Sequence, residues 1–174
     1  MGTEELVQGD ACHLGAHSSL TCSLFFSLSL SSWRVYTGKF ANTTGLTQCY
    51  DCPVGTYQAA SGTSSCVLCD VGTSNSVSAQ SSCTDCNHGT FANVTGLSTC
   101  LSCLPGTFMA SQGAVVCDLC SNGTAIGSYG YTDQCLSCRP GTYALQGYSA
   151  CADCAAGKSQ SLPGMSSCVD CAMG

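Results

Sequence analysis

A cysteine pair recurs along most of the chain at nearly constant spacing, and this repetition restricts the fold more than any other feature. The motif Cys-x-x-Cys occurs eight times, and its first cysteines stand at positions 49, 66, 83, 100, 117, 135, 151 and 168. Repeats of about 17 residues cannot bury a hydrophobic face alone. The spacing therefore predicts small units that are closed by sulfur and that stack on their neighbours.

Other residues keep the same repeat. A glycine, which we call the turn glycine, follows the second cysteine of each pair by three positions, at Gly55, Gly72, Gly89, Gly106, Gly123, Gly141, Gly157 and Gly174. Threonine follows the turn glycine in most repeats, often with an aromatic residue after it. A second glycine, the return glycine, usually precedes the next pair, at Gly62, Gly96, Gly113, Gly130, Gly147 and Gly164. Glycine tolerates the positive φ of tight turns, so each unit is predicted to be a turn, a short extended segment and a return.

The predicted fold class is a series of small disulfide-rich repeats. We expect an elongated rod of short two-stranded β loops with little regular secondary structure and no large hydrophobic core. Eighteen cysteines in 174 residues are typical of a disulfide scaffold. Four basic residues and a net charge of −6 argue against nucleic-acid binding. His13, His17 and His88 accompany no nucleophile or paired carboxylates, so they are interpreted as solvated loop residues and no enzyme or cofactor is predicted.

The repeat pattern also predicts the domain organisation. Residues 35–49 align with residues 86–100, with Val35 in place of the opening cysteine, and residues 171–174 begin a further unit. We therefore expect a non-repeat segment at 1–34, poorly ordered, and tandem repeats at 35–174 that are truncated at both ends of a longer protein. The apolar tract at 19–33 is too short to span a bilayer. Glu4, Glu5 and Asp10 stand where a secretory signal carries basic residues, so 1–34 is interpreted as a non-native start or a divergent remnant, and alternatively as a degenerate signal.

Two segments carry a resemblance to a known family. "CYDCPVGTYQAASGTSSC" (49–66) and "CLSCRPGTYALQGYSAC" (135–151) resemble the ephrin-receptor-like cysteine-rich repeat, which belongs with the growth-factor-receptor cysteine-rich domains. The loop is similar to the first loop of tumour-necrosis-factor-receptor modules. The resemblance implies an extracellular or cell-surface location and an EGF-like, disulfide-bonded ectodomain, without implying a particular ligand. Proline directly follows the second cysteine only at Pro53, which departs from the family pattern.

Two disulfide schemes remain open. In the ladder scheme, which fits the receptor loop that the chain resembles, the second cysteine of each pair bonds the first cysteine of the next. It would join Cys52–Cys66, Cys69–Cys83, Cys86–Cys100, Cys103–Cys117, Cys120–Cys135, Cys138–Cys151 and Cys154–Cys168. The alternative joins like to like, as in 49–66 with 52–69, and would produce a 34-residue alternation. Spacing alone does not decide between the schemes. A bridge from Cys12 or Cys22 to Cys49 is a further candidate.

Metal binding is the main alternative use of the cysteines. Pairs separated by thirteen residues are close to zinc-ribbon spacing, so a cytosolic protein with several zinc sites, each held by four cysteines, is the rival interpretation. The unbroken run of pairs and the scarcity of basic residues favour disulfides, and no metal is predicted. Aspartate before the second cysteine is interpreted as a cap of the local turn, with calcium as the alternative, at Asp51, Asp85, Asp153 and Asp170.

Candidate surface sites follow from short motifs. Asn42, Asn93 and Asn122 begin Asn-x-Thr sequons and are predicted glycosylation sites. Tyr129, Tyr131, Tyr143 and Tyr148 lie in and beside the longest repeat and are candidate protein-binding residues. The predicted function is therefore a structural or adhesive spacer of a larger surface or secreted protein. The alternative is the ligand-binding ectodomain of a receptor, with protein ligands or neighbouring domains as partners in either case, and no membrane span is predicted in this chain.

Overall fold

The computed structural model describes residues 11–14, 20–23, 37–43 and 48–172, and within these ranges it contains short β-strands and no helix. The strands are β1 Ala11–Leu14, β2 Leu20–Ser23, β3 Lys39–Phe40, β4 Tyr50–Asp51, β5 Thr56–Tyr57, β6 Val67–Leu68, β7 Thr73–Ser74, β8 Thr84–Asp85, β9 Thr90–Phe91, β10 Leu101–Ser102, β11 Thr107–Phe108, β12 Asp118–Leu119, β13 Thr124–Ala125, β14 Leu136–Ser137, β15 Thr142–Tyr143, β16 Ala152–Asp153, β17 Lys158–Ser159 and β18 Val169–Asp170. The order of the remainder of 1–34 lies outside the described residues.

The chain divides into two compact units. Unit 1 comprises Met1–Asp70, Ser74–Thr84 and Thr95–Thr99, and unit 2 comprises Val71–Thr73, Asp85–Val94 and Cys100–Gly174.

Each strand that follows a turn glycine pairs with the strand between the next two cysteines. In β5 and β6, Thr56 lies opposite Leu68 and Tyr57 lies opposite Val67 in antiparallel register. The same hairpin recurs as β3–β4, β7–β8, β9–β10, β11–β12, β13–β14, β15–β16 and β17–β18, and β1 pairs with β2. Threonine and aromatic residues favour extended backbone, which explains why the strand begins directly after the glycine.

The turn before each of these strands explains both its glycine and its threonine. Gly55 has a φ of +77°, and the Thr56 N–H donates to the Pro53 carbonyl oxygen at 3.1 Å. A type II turn requires positive φ at its third residue, and glycine adopts it without strain. The Thr56 hydroxyl donates to the same carbonyl at 2.7 Å. Four further threonine hydroxyls make this bond, those of Thr90, Thr107, Thr124 and Thr142.

Disulfides occupy the interior of the loops. The bonded pairs are Cys52–Cys66, Cys69–Cys83, Cys86–Cys100, Cys103–Cys117, Cys120–Cys135, Cys138–Cys151 and Cys154–Cys168. These are the pairs of the ladder scheme. The largest fully buried side chains of the described residues are six of these cysteines, Cys52, Cys69, Cys86, Cys103, Cys120 and Cys138. The predicted class of small disulfide-rich repeats is thereby confirmed.

Cys49 is also disulfide-bonded. The predicted bridge to it from Cys12 or Cys22 concerns side chains that lie outside the described residues. Cys171 is exposed and is the free cysteine of the described part of the chain.

Each loop is joined to the next loop by main-chain hydrogen bonds. The Gly55 N–H donates to the Asn75 carbonyl at 2.7 Å, and the Gln58 N–H donates to the Gln80 carbonyl at 3.1 Å. The corresponding bond is made at 2.7–2.8 Å by the turn glycines from Gly55 to Gly141 and by Gly38, which holds the turn-glycine position three residues after Val35. Because these bonds use backbone atoms, loops with different side chains stack in the same way.

Six glycines at the turn position, from Gly38 to Gly123, also approach a carbonyl of the next loop but one. The approaching loop is held by a bond to the loop between them, since the Gly96 N–H donates to the Cys69 carbonyl at 2.8 Å. A Cβ atom added to Gly55 would lie 2.2 Å from the Gly96 carbonyl oxygen, and one added to Gly72 would lie 2.3 Å from that of Gly113. Real Cβ atoms do not approach oxygen so closely. The turn glycine is therefore required for this contact as well as for its own turn.

Candidate interaction surface

The residues between the two cysteines of a pair form much of the apolar surface. Val67 and Leu68 are 47% and 53% exposed although they form β6. The buried cysteine on the C-terminal side of this strand fills the loop interior, so the strand's own side chains remain outside. The equivalent exposed side chains in other repeats are Tyr50, Leu101, Leu119, Leu136 and Val169. The surface thus offers one or two large apolar side chains at this position in six of the eight repeats.

Tyr129 and Tyr131 flank the return glycine of the longest loop. The Gly130 N–H donates to the Cys103 carbonyl at 2.8 Å, and the Tyr131 carbonyl accepts from the Met109 N–H at 3.0 Å. Tyr129 is 68% exposed, more than any other large hydrophobic residue in the described ranges. Its backbone is therefore held on a fixed turn while its ring remains open to a partner.

Tyr148 and Tyr143 lie in the following loop. Tyr148 is 36% exposed and follows Gly147, whose N–H donates to the Cys120 carbonyl at 2.9 Å. Tyr143 is half-buried in β15, opposite Ala152. All four candidate tyrosines lie in the described ranges, and no ring contact joins any two of them. The aromatic contact found in these ranges is that of Phe40 with Tyr50, whose ring centroids are 5.7 Å apart. A single tyrosine cluster is therefore not formed, and protein binding by these residues stays a prediction.

Two of the four aspartates before a second cysteine form ion pairs across a hairpin. Asp51 accepts from the Lys39 Nζ at 2.6 Å, and Asp170 accepts from the Lys158 Nζ at 2.8 Å. In each case the lysine lies directly opposite the aspartate in the strand register. A partly exposed pair of this kind contributes at most about 1 kcal/mol. Asp153 lies opposite Thr142 instead.

His88 is exposed, as expected of a solvated loop residue, and it also makes one contact with the neighbouring loop. Its Nδ1 lies 2.8 Å from the Ala110 carbonyl oxygen, which can only accept, so Nδ1 carries the proton in this contact. The ring thereby joins the loop closed by Cys86 and Cys100 to the following one. His13 and His17 lie outside the described side chains.

The cysteines are not arranged as metal ligands in this structure. Zinc sites built from four cysteines need thiolates, whereas fourteen of the described cysteines are joined in the seven disulfides named above. No group of three or more His, Cys, Asp or Glu side chains in the described ranges could hold a metal ion. The zinc interpretation therefore finds no support in the geometry.

Sequence reasoning missed a buried position three residues after each turn glycine. Gln58 is 7% exposed, its Nε2 donates to the Ser65 carbonyl at 2.8 Å, and its Oε1 accepts from the Ala60 N–H at 3.0 Å. Gln160 makes the equivalent pair of bonds in its own loop. Asn75 is the third polar residue at this position and is also 7% exposed, and the other repeats place an apolar residue there, namely Ala41, Ala92, Met109, Ile126 and Ala144. The fixed distance from the turn glycine is the signal by which this position could have been found.

Known proteins share this repeat architecture. Three overlapping segments, residues 38–86, 72–120 and 89–134, match the family described as tyrosine-protein kinase ephrin type A/B receptor-like. Together they cover more than half of the chain. The chain belongs to this ephrin-receptor-like family. The predicted resemblance is thereby confirmed, and a search of curated proteins gave no match.

Ephrin-receptor-like repeats are a non-catalytic type of receptor ectodomain. Together with the disulfides, which persist in oxidising compartments, they indicate that this chain forms an extracellular domain. In the described ranges no helix has the length and apolarity needed to cross a membrane.

Proposed function

We propose that the chain is a structural spacer in the extracellular part of a surface or secreted protein. The observation that carries this proposal is the repeated main-chain bond from a turn glycine to the next loop, at 2.7–2.8 Å from Gly38 to Gly141. A contact made by backbone atoms does not depend on side-chain identity. It can therefore be repeated to any number, which suits a part whose role is to set a distance.

The second support is that the loops of the described repeats are built alike. Each loop is closed by its own disulfide, which stabilises it without a large core. A spacer needs local stability and a constant addition per repeat. Both properties follow from closing each loop with its own bridge.

The number of repeats provides the test. Deleting residues 86–102 removes one repeat and leaves the spacing of the remaining cysteines intact, and duplicating the same residues adds one. Small-angle scattering of the oxidised proteins should give a maximum dimension that falls and rises by equal steps relative to the parent chain. If repeat number leaves the dimension unchanged, the spacer function is wrong.

A second function, binding of a protein ligand, is favoured by the exposed ring of Tyr129 on its anchored turn. Exposed tyrosines on a fixed backbone are frequent anchors of protein interfaces. Binding of the fluorescently labelled, disulfide-bonded chain to suspended cells would be measured by flow cytometry. Tyr129→Ser and Tyr148→Ser should abolish this binding, whereas the control Leu136→Ser, at a residue of similar exposure, should not. Equal binding by all variants contradicts a ligand site at the tyrosines.

A further inference from the structure

The three Asn-x-Thr sequons differ in how the fold uses their side chains. In the sequon 93–95, Asn93, Val94 and Thr95 are all exposed. Neither the Asn93 amide nor the Thr95 hydroxyl makes a hydrogen bond in the described part of the chain. The acceptor nitrogen and the hydroxyl that define a sequon are therefore both available.

The backbone before Asn93 fixes this side chain at the surface. Ala92 is fully buried, its N–H donates to the Ala114 carbonyl at 3.0 Å, and its carbonyl accepts from the Gly72 N–H at 2.8 Å. With Ala92 held between two neighbouring loops, the next residue must point outward.

Asn42 occupies the same place in its repeat. It is exposed and follows Ala41, which is fully buried and whose N–H donates to the Thr63 carbonyl at 3.0 Å. The third residue of this sequon lies outside the described residues. The described part matches the surroundings of Asn93.

Asn122 is placed differently, because its sequon is itself the type II turn of its repeat. Its Oδ1 accepts from the Gln146 N–H at 2.9 Å, and the Thr124 hydroxyl donates to the Ser121 carbonyl at 2.8 Å. Between them, a Cβ added to Gly123 would collide with the Gly164 carbonyl oxygen. The amide and the hydroxyl of this sequon are thus engaged in the fold, and the turn has no room to move towards Gly164.

We propose that Asn42 and Asn93 carry N-linked glycans and that Asn122 does not. This inference rests on the extracellular location in the proposed function. Attachment to the Nδ2 of Asn42 or Asn93 leaves every described hydrogen bond intact. Attachment at Asn122 requires the sequon to be extended, which competes with the turn and with the bond to Gln146.

The full chain, secreted from eukaryotic cells behind a cleavable leader, provides the test. Treatment with a peptide N-glycosidase converts a glycosylated Asn to Asp, which peptide mass mapping locates by comparison with a sample incubated without the enzyme, because Asn122 precedes Gly123 and such an Asn also deamidates spontaneously. Conversion is expected at Asn42 and Asn93 and not at Asn122. Asn42→Gln and Asn93→Gln should each lower the number of glycans found by intact mass by one. Asn122→Gln should leave the number of glycans unchanged.

A gain-of-site variant provides the matched control. Ala110→Asn with Gln112→Thr places a sequon after the buried Met109, at the same loop position as Asn93, and should add a third glycan.

A glycan at Asn122 would overturn the distinction between the sequons. A secreted, disulfide-bonded chain without glycan at Asn42 or Asn93 overturns this inference and leaves the spacer intact. A chain that reaches the medium only with free thiols contradicts the extracellular location itself.

Discussion

Gly106 and Gly141 hold the same place in their repeats, and their φ angles are +84° and +83°. Their surroundings differ. A Cβ at Gly106 would lie 2.2 Å from the Gly147 carbonyl oxygen, whereas a Cβ at Gly141 would meet no atom within 4 Å. Two demands on glycine, the positive φ of the turn and the close approach of another loop, are thus combined at Gly106, whereas Gly141 meets only the first. Gly147 lies 41 positions after Gly106, and the position 41 residues after Gly141 lies beyond residue 174. Within these 174 residues the two glycines therefore test the two demands separately.

The largest expected effect is that of alanine at these two glycines. Gly106→Ala should lower the free energy of unfolding by about 3–5 kcal/mol, because the left-handed backbone and the collision with a carbonyl both oppose it. Gly141→Ala should cost about 1–2 kcal/mol, from the backbone alone. Denaturant unfolding of the oxidised chain measures both, and hydrogen exchange of the Gly147 N–H reports the local loss. Equal costs for the two variants would show that the approach to Gly147 is unimportant.

Disulfide removal should not distinguish the same two loops. Replacing Cys103 and Cys117 by alanine, or Cys138 and Cys151 by alanine, opens loops of sequence separation 14 and 13. Each change should cost about 3 kcal/mol, because most of the effect arises from the freedom that the unfolded chain regains. Non-reducing peptide mapping verifies the remaining bridges before unfolding is measured. A much larger loss in one loop would indicate that native packing, rather than loop closure, dominates.

The smallest expected effect concerns Ala79, which stands where other repeats have the return glycine. Its φ is +60°, a conformation that strains alanine. Ala79→Gly should therefore stabilise the chain by about 0.5–1 kcal/mol after the greater entropy of the unfolded glycine is counted. The matched reverse change, Gly113→Ala, should destabilise by a similar amount, since its Cβ meets only ordinary contact with Asp85 at 3.6 Å. A shift of the same sign in both variants would contradict a backbone origin.

The sequence predicted those parts of the fold that are local to one repeat. The turn at Gly55, the strand at Thr56–Tyr57 and the class of disulfide-rich loops all follow from residues within about 17 positions of one another. The approach of Gly55 to Gly96 was not predictable. Each glycine was already explained by its own turn, so no residue pattern indicated that the two meet.

The candidate surface was predictable only in part. The repeat register placed Tyr129 beside a return glycine, which the structure bears out. It also placed Tyr143 in a strand, where the side chain is half-buried. The ion pair of Lys39 with Asp51 was open to prediction, because two repeats combine a lysine after the first glycine with an aspartate before the second cysteine, and the hairpin places these two residues opposite each other. Exposure and loop-to-loop contact depend on neighbouring repeats, which spacing does not describe.

The disulfides also set how the chain responds to a pulling force. The Cα atoms of Cys52 and Cys66 are 5.7 Å apart, and three residues lead from Cys66 to Cys69. A fully stretched repeat therefore reaches roughly 16 Å, against roughly 60 Å for 17 residues without the bridge. Tension passes through the disulfide bond, so the residues between its two cysteines are not stretched. A tether built from such repeats resists extension covalently even after its hydrogen bonds have broken.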